Sequence, residues 1–242
     1  SSLLRGQQGS QGGFHCLTLA HAFMARAGLP VTLVSGKGSA LGDILIRGEG
    51  IGALAFVGGR ANGRKAATSL ADTGRRHFLE QEGLNSWGIW GFTQWDLFAG
   101  HLKKGFEYGK QRCTAYPRYV VQRSLFASAY VAPACILQPP TSWALHHREP
   151  FGPLDSVVIV DTETELLAGM NASNGSLVAS IATDDPQLAH RVADELQAFK
   201  IGINAPRSRG DREEIFGGKG ASWKGAFVGG DLLVQAVTEP DD

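Results

Sequence analysis

The feature that most limits what this chain can fold into is a recurring pair: a short apolar run closed by glycine or acidic residues, then a helical pattern. "SVVIVDT" at 156–162 leads into the helical "ETELLAGMNAS", and "LVASIATDD" leads into the amphipathic "PQLAHRVADELQAF" and then the strand-like "KIGINAP". A strand apolar on successive residues hides both of its faces, the condition of a parallel sheet covered by helices on each side. The first part of the chain follows the same grammar. "LTLAHAFMARA" has helical spacing, "GLP" stops it, and "VTLVSGKGSALG" reads as strand, glycine loop and helix start. "IGALAFVGGRANGRKAATSLA" holds a strand ending at Phe56, a Gly58-Gly59 turn and a helix from about Ala61 to Ala71. "RRHFLEQEG" is a strand ending in acidic residues, "TQWDLFAGHLKKGFEYG" a helix and "RYVVQR" a strand. The expected class is α/β with a mostly parallel sheet. Three stretches are read as irregular: a Gly/Gln/Ser leader with order beginning near Phe14, the proline-rich "AYVAPACILQPPTSWALHHREPFGPL", and the glycine loop "IFGGKGASWKG".

Charge narrows the partners. Of the 242 residues, Lys plus Arg number 23 and Asp plus Glu number 23, so there is no net field to attract nucleic acid or an anionic membrane surface, and a small-molecule or protein partner is expected. Cys16, Cys113 and Cys135 are too few and too scattered for a disulfide framework. The start "SSLLRGQQGSQGG" lacks a signal-peptide core, and no run of about twenty apolar residues occurs, so a soluble cytoplasmic protein is expected.

Candidate chemistry centres on "FEYGKQRCTAYPRYVVQR" at 106–123. A thiol is a useful nucleophile when positive charge or hydrogen-bond donors favour its thiolate, and Lys110 and Arg112 flank Cys113 between a helix and a strand. The plain alternative is an inert, half-buried cysteine, the reading given to Cys16 and Cys135. Glu80 ends a strand, where functional side chains of α/β proteins commonly stand, although a solvated carboxylate beside Glu82 has the same signature. Glu149 sits in the stiff loop "HREPFGPL", which can position a residue or merely turn the chain. The glycine loops "SGKGSALG", with Gly38, and "VGG", ending in Gly58 and Gly59, can present backbone N–H groups to phosphate but fit neither GxGxxG nor a Walker loop. No Cys or His pair has zinc spacing, so no metal is expected, and the G-x-S-x-G elbow of a serine hydrolase is missing. Trp87, Trp90 and Trp95 fit core positions better than an aromatic pocket.

The order of "FVGG", "LEQEGLN", "GKQRCTA", "REPFGPL", "NGSLVASIATDD" and "IFGGKGASWKG", from about Leu17 to Val237, resembles the aldehyde dehydrogenase superfamily. "LEQEGLN" with "RCTAYPR" is similar to a branch that includes dehydrogenases of ring-cleavage semialdehydes, some of them CoA thioesters. The resemblance implies a parallel-sheet aldehyde dehydrogenase-like fold: an incomplete Rossmann-like cofactor domain over 1–79, a catalytic domain over 80–218, and a C-terminal loop and tail over 219–242. It implies oxidation of an aldehyde to a carboxylic acid with NAD or NADP, through a thiohemiacetal and a thioester on Cys113, with Glu80 as general base. It places Glu149 on the nicotinamide ribose, Phe151 beside the nicotinamide, and Gly38, Gly58 and Gly59 where backbone approaches the dinucleotide. A homodimer or homotetramer is implied in the same way.

The sequence also departs from the family. Gly59 and Val57 stand where Ser and Thr are common, Glu82 and Leu84 where Gly and Lys are usual, and Lys110 where a glycine is common. The region that would precede Phe14, with the oxyanion Asn and a cofactor-binding Lys, is missing, and "RSLFASAYVAP" at 123–133 joins segments that a long helical stretch separates in the family. Absent segments explain this better than a shortened fold, because a domain stripped of them would expose apolar surface at roughly 25 cal/mol per Å². Two further readings stay open at this point: a non-catalytic remnant serving as an oligomerisation or scaffold module, and an enzyme that releases the thioester to CoA.

Overall fold

The computed structural model describes residues 2–6, 11–107, 109–128, 134–207 and 213–237. It divides into two compact units, residues 1–51 with 68–74, and residues 52–67 with 75–242.

In the first unit, β1 (Ser2–Gly6), α1 (Gln11–Arg26), β2 (Val31–Ser35) and α2 (Gly38–Arg47) follow in order, and β1 pairs in parallel with β2 from Ser2↔Val31 to Gly6↔Ser35. This corrects the expectation of an unstructured leader before Phe14. The local composition carries no strand signal, but pairing with β2 gives partners to the backbone groups of residues 2–6 that face it. Gly28 takes φ +77 just past α1, where Leu29 N–H donates to Met24 O at 3.0 Å, so the helix ends where "GLP" predicts.

The second unit opens with β3 (Ala53–Val57), α3 (Arg60–Ala71, whose last residues fall in the first unit), β4 (Arg76–Glu80), β5 (Ser86–Ile89), α4 (Trp95–Glu107) and β6 (Arg118–Gln122). It continues through β7 (Ala134–Leu137), β8 (Leu154–Val160), α5 (Glu163–Met170), β9 (Gly175–Ser176), β10 (Val178–Ala182) and α6 (Pro186–Glu195). It closes with β11 (Lys200–Ile203), β12 (Lys219–Gly220), β13 (Trp223–Gly225) and α7 (Asp231–Val237).

Among the described residues the main sheet has six strands in the order β11-β10-β5-β6-β8-β7, every pair parallel. Its two faces feed two cores, as apolar strands require. From β6, Tyr119 and Val121 join Trp87, Phe98 and Val157 on one face, while Val120 joins Leu166, Met170, Ile181 and Val192 on the other. Trp87 is buried in the first core against Phe98 and Tyr116, so it is a packing residue, and a side chain of that size contributes roughly 2–3 kcal/mol by its burial. The helices start where the sequence caps them. Thr162 and Glu165 form a reciprocal capping box at α5, and Asp185 accepts from Gln187 and Leu188 N–H ahead of Pro186 at α6.

Two stretches read as irregular contain strands. Within the proline-rich segment, β7 forms the edge of the main sheet beside β8, and Gln138 extends the pairing with its side chain, bonded to Ile159 N–H and O at 3.0 and 3.1 Å. An edge strand tolerates the prolines that follow it. In the C-terminal glycine loop, β13 runs antiparallel to β4, with Trp223 opposite Glu80, and completes a sheet in the order β13-β4-β3. Residues 129–133 of the junction at 123–133, and the end of the tail, lie outside the described residues.

Candidate active site

Glu80 is the last residue of β4, held between Val57 of β3 and Trp223 of β13. Just beyond it, Gln81 N–H donates to Ser222 O at 2.9 Å and Ser222 Oγ donates to Glu82 O at 2.6 Å, so the C-terminal loop fixes the strand end. Cys113 lies in the turn between α4 and β6, half-buried against the first core. The turn places its thiol where the charges of Glu80, 33 residues earlier in the sequence (113 − 80), and of Glu149 bear on its acidity. Burial is the main reason the thiol is pushed up to about 12; the charge and hydrogen bond of Glu80 and the charge of Glu149 act the same way.

The Cys113 turn is anchored from behind. Asn85, fully buried, donates through Nδ2 to Cys113 O and to Ala115 O, both at 2.7 Å, and its Oδ1 accepts from Val178 and Leu177 N–H at 3.0 and 3.3 Å. One amide therefore ties the turn to the start of β10. Gly83 lets the two segments close up: a Cβ there would meet Cys113 O at 1.8 Å. A Cβ at Gly83 would also meet Glu149 Oε1 at 2.9 Å, and the Gly83 N–H faces that carboxylate. Burial lifts Glu149 to about 7, with Glu82 and Glu80 adding repulsion and the Gly83 bond opposing it.

Lys110 departs from its expected part. It does not stand by the thiolate but runs into the interior, 4% exposed, where Nζ donates to Asp155 Oδ2 at 2.5 Å, Tyr119 Oη at 2.9 Å and Tyr116 O at 3.1 Å. Its backbone takes φ +54, a conformation that favours the glycine common here. No cation is among the causes that set the thiol's acidity, so proximity in sequence to Lys110 and Arg112 misleads.

Phe151 is half exposed at φ +49, and with Glu149, Pro150, Ala115 and Pro117 it lines a small hollow. Gly58 and Gly59 make the turn from β3 into α3, where Gly58 N–H donates to Glu80 O at 3.1 Å. Gly38 belongs to the other unit, as the first residue of α2. Asn85, Gly83, Asp155 and Ser222 were not singled out from sequence. An isolated Asn just ahead of the apolar "SWGIW" was the one signal available.

Two observations bear on a dinucleotide. Glu149 keeps a buried Oε1 without a partner, an acceptor suited to a ribose hydroxyl. At the start of α3, however, Arg60 N–H already donates to Glu82 Oε1 at 3.3 Å. Among the described residues no group of three His, Cys, Asp or Glu could hold a metal, and no helix is long and apolar enough to cross a membrane.

The chain is 27% identical over 291 residues to the NADP-dependent glyceraldehyde-3-phosphate dehydrogenase of Streptococcus equinus, covering 95% of this chain and 60% of that protein. Over 83 residues it is 39% identical to betaine aldehyde dehydrogenase of Cereibacter sphaeroides (strain ATCC 17025 / ATH 2.4.3), covering 32% of this chain and 17% of that one. Among solved structures, an NAD-dependent aldehyde dehydrogenase from Sinorhizobium meliloti superposes with a TM-score of 0.85 at 19% identity, over 98% of this chain and 59% of that chain. The NADP-dependent glyceraldehyde-3-phosphate dehydrogenase from Bacillus halodurans C-125, complexed with NADP, gives 0.84 at 21%, over 98% and 61%. These likenesses establish the shared fold, and the chain spans three-fifths or less of the length of the curated relatives it matches. The profile of the Aldehyde dehydrogenase family matches residues 9–129 and 125–240, two stretches that overlap at 125–129. With nearly every residue inside those two stretches, the chain belongs to the aldehyde dehydrogenase family.

Proposed function

We propose that this chain carries the cysteine centre of an NAD(P)-dependent aldehyde oxidation, with Cys113 as nucleophile and Glu80 as general base. The observation that supports it most is the nearness of the Glu80 carboxylate to the Cys113 thiol, whose acidity its charge lowers. A thiol pushed up to about 12 is protonated at neutral pH and needs a base in place before it can attack.

Glu80 accepts the thiol proton as Cys113 Sγ bonds to the aldehyde carbon, and the carbonyl oxygen takes the electron pair as an oxyanion. The Cys113 backbone N–H is the donor this chain offers that oxygen. When bound, a nicotinamide supplies the hydride acceptor that carries the thiohemiacetal to the oxidation level of a thioester. Glu80, returned to its carboxylate form, then takes a proton from water as the water oxygen attacks the thioester carbon, and Cys113 leaves with the carboxylic acid released. Glu149 would hold the nicotinamide ribose through its unpartnered Oε1. Phe151 would pack beside the ring, and Gly58 and Gly59 would let the phosphates approach the backbone. Self-association as a dimer or tetramer belongs to the same reading.

The test measures NADH or NADPH formation with glyceraldehyde 3-phosphate and with betaine aldehyde, for the parent and for Cys113→Ala. The proposal expects reduction by the parent and its loss in the variant. Equal rates would overturn Cys113 as nucleophile. No reduction with either cofactor would favour the non-catalytic module. Mass spectrometry of products with CoA present separates hydrolysis, which gives free acid only, from CoA release.

A further inference from the structure

A helix of 12 residues has unpaired N–H groups and partial positive charge at its start, the place where glycine turns of α/β folds hold phosphate. In α3 that place is taken by the chain itself, because Glu82 Oε1 accepts from Arg60 N–H at 3.3 Å. Glu82 stands where the family usually has glycine, a departure that goes with the branch its "LEQEGLN" resembles.

Two buried polar atoms beside this contact have no partner, Glu82 Oε2 and Arg60 Nε. An orphaned acceptor beside an orphaned guanidinium donor shows an incomplete arrangement, since buried polar atoms are rarely left unpaired. The Arg60 guanidinium turns to Asn174, whose side-chain oxygen accepts from Nη1 and Nη2 at 3.0 Å. Glu82 is thus held at the helix by one long bond. Its backbone is fixed, with Ser222 Oγ on its carbonyl, so the side chain is the part free to swing. Its charge also adds to that of Glu80 around Glu149, which makes the cleft unfavourable to a second anion while Glu82 points inward.

We propose that Glu82 is an internal competitor for the phosphate end of the dinucleotide site, seated on the first N–H of α3 until a diphosphate displaces it, and that it sets the affinity of this chain for its cofactor. The proposal rests on the dinucleotide reading above. Displacement breaks one Arg60–Glu82 hydrogen bond, returns both carboxylate oxygens to water, and leaves the helix N–H and Arg60 Nε to the phosphate.

The test titrates parent, Glu82→Gln and Glu82→Ala with NAD+, NADP+ and ADP by calorimetry, while amide exchange at Arg60 is followed by NMR. Binding should tighten about threefold to tenfold in Glu82→Gln and more in Glu82→Ala, as the charge and then the side chain are removed. Arg60 amide exchange should quicken in both variants without ligand and slow again when ADP is added. Equal or weaker binding in Glu82→Ala, with its melting temperature unchanged, would overturn the competitor, and an unmoved Arg60 amide would do so independently. Failure of every chain to bind either dinucleotide, with Arg60 exchange quickened in the variants, would sink the dinucleotide reading and the competitor that depends on it.

Discussion

The side-chain amide of Asn85 donates to the backbone carbonyl of Cys113 at 2.7 Å, so the Cys113 turn hangs from a residue 28 positions earlier in the chain. The same amide bonds Ala115 O and the N–H groups of Leu177 and Val178, which leaves it fully satisfied in a fully buried setting. Replacement by alanine strands two carbonyls and two N–H groups at once. Asn85→Ala should cost about 2–4 kcal/mol in urea denaturation and lower aldehyde turnover more than it raises KM. A loss below about 1 kcal/mol would mean that water or a shifted loop replaces the amide.

Glu80 raises the Cys113 thiol through its charge and its hydrogen bond, while burial does most of the lifting. Glu80→Gln therefore has opposite effects on two rates. Iodoacetamide should alkylate Cys113 about threefold to tenfold faster at about pH 9, because the thiolate is no longer repelled. On the proposed mechanism, aldehyde oxidation should fall about 100-fold or more, because Glu80 serves there as the base. A packing residue would move neither rate in that pattern, and slower alkylation in the variant would refute the placement of the carboxylate against the sulfur.

Much of the main sheet is legible in the sequence, because β6, β8 and β10 are apolar on successive residues and each sits between neighbours that cover both faces. Legibility stops where pairing overrides composition. β1 grows from a glycine- and glutamine-rich start, β7 from a proline-rich segment, and β13 from a glycine loop, and each is a strand because another strand lies beside it. At the site, Cys113, Glu80 and Glu149 carried signals of residue type and position. Asn85 did not, because its partners stand 28 to 93 residues away and no local pattern records them. Lys110 misled for the converse reason: it neighbours the cysteine in sequence, yet its ammonium group is committed to Asp155.

That commitment is itself measurable. Lys110 and Asp155 meet at 2.5 Å with side chains 4% and 2% exposed, and burial outweighs their attraction enough to pull Lys110 down and push Asp155 up. Asp155 Oδ1 has no partner, so loss of the ammonium leaves a buried carboxylate alone. Lys110→Met should destabilise the chain by about 3–5 kcal/mol in urea denaturation, and Lys110→Met with Asp155→Asn should recover a large part of that. If the double variant is no more stable than the single one, the pair is not the source of the loss.

Glu149 makes stability depend on pH in a direction opposite to that of a paired carboxylate. Burial raises it from an ordinary 4.5 to about 7, so between those values the folded chain holds a proton that the unfolded chain has lost. The contribution is complete below about 4.5 and disappears as pH rises through about 7. The groups facing it all favour the neutral acid except one: Glu82 and Glu80 repel its charge, and the Gly83 N–H welcomes it. The parent should therefore lose on the order of 2 kcal/mol between about pH 5 and about pH 8 from this residue. Glu149→Gln, neutral at every pH, should flatten that part of the profile. Thermal melts of the two proteins across the range decide the matter, and a slope that survives the substitution would place the proton elsewhere.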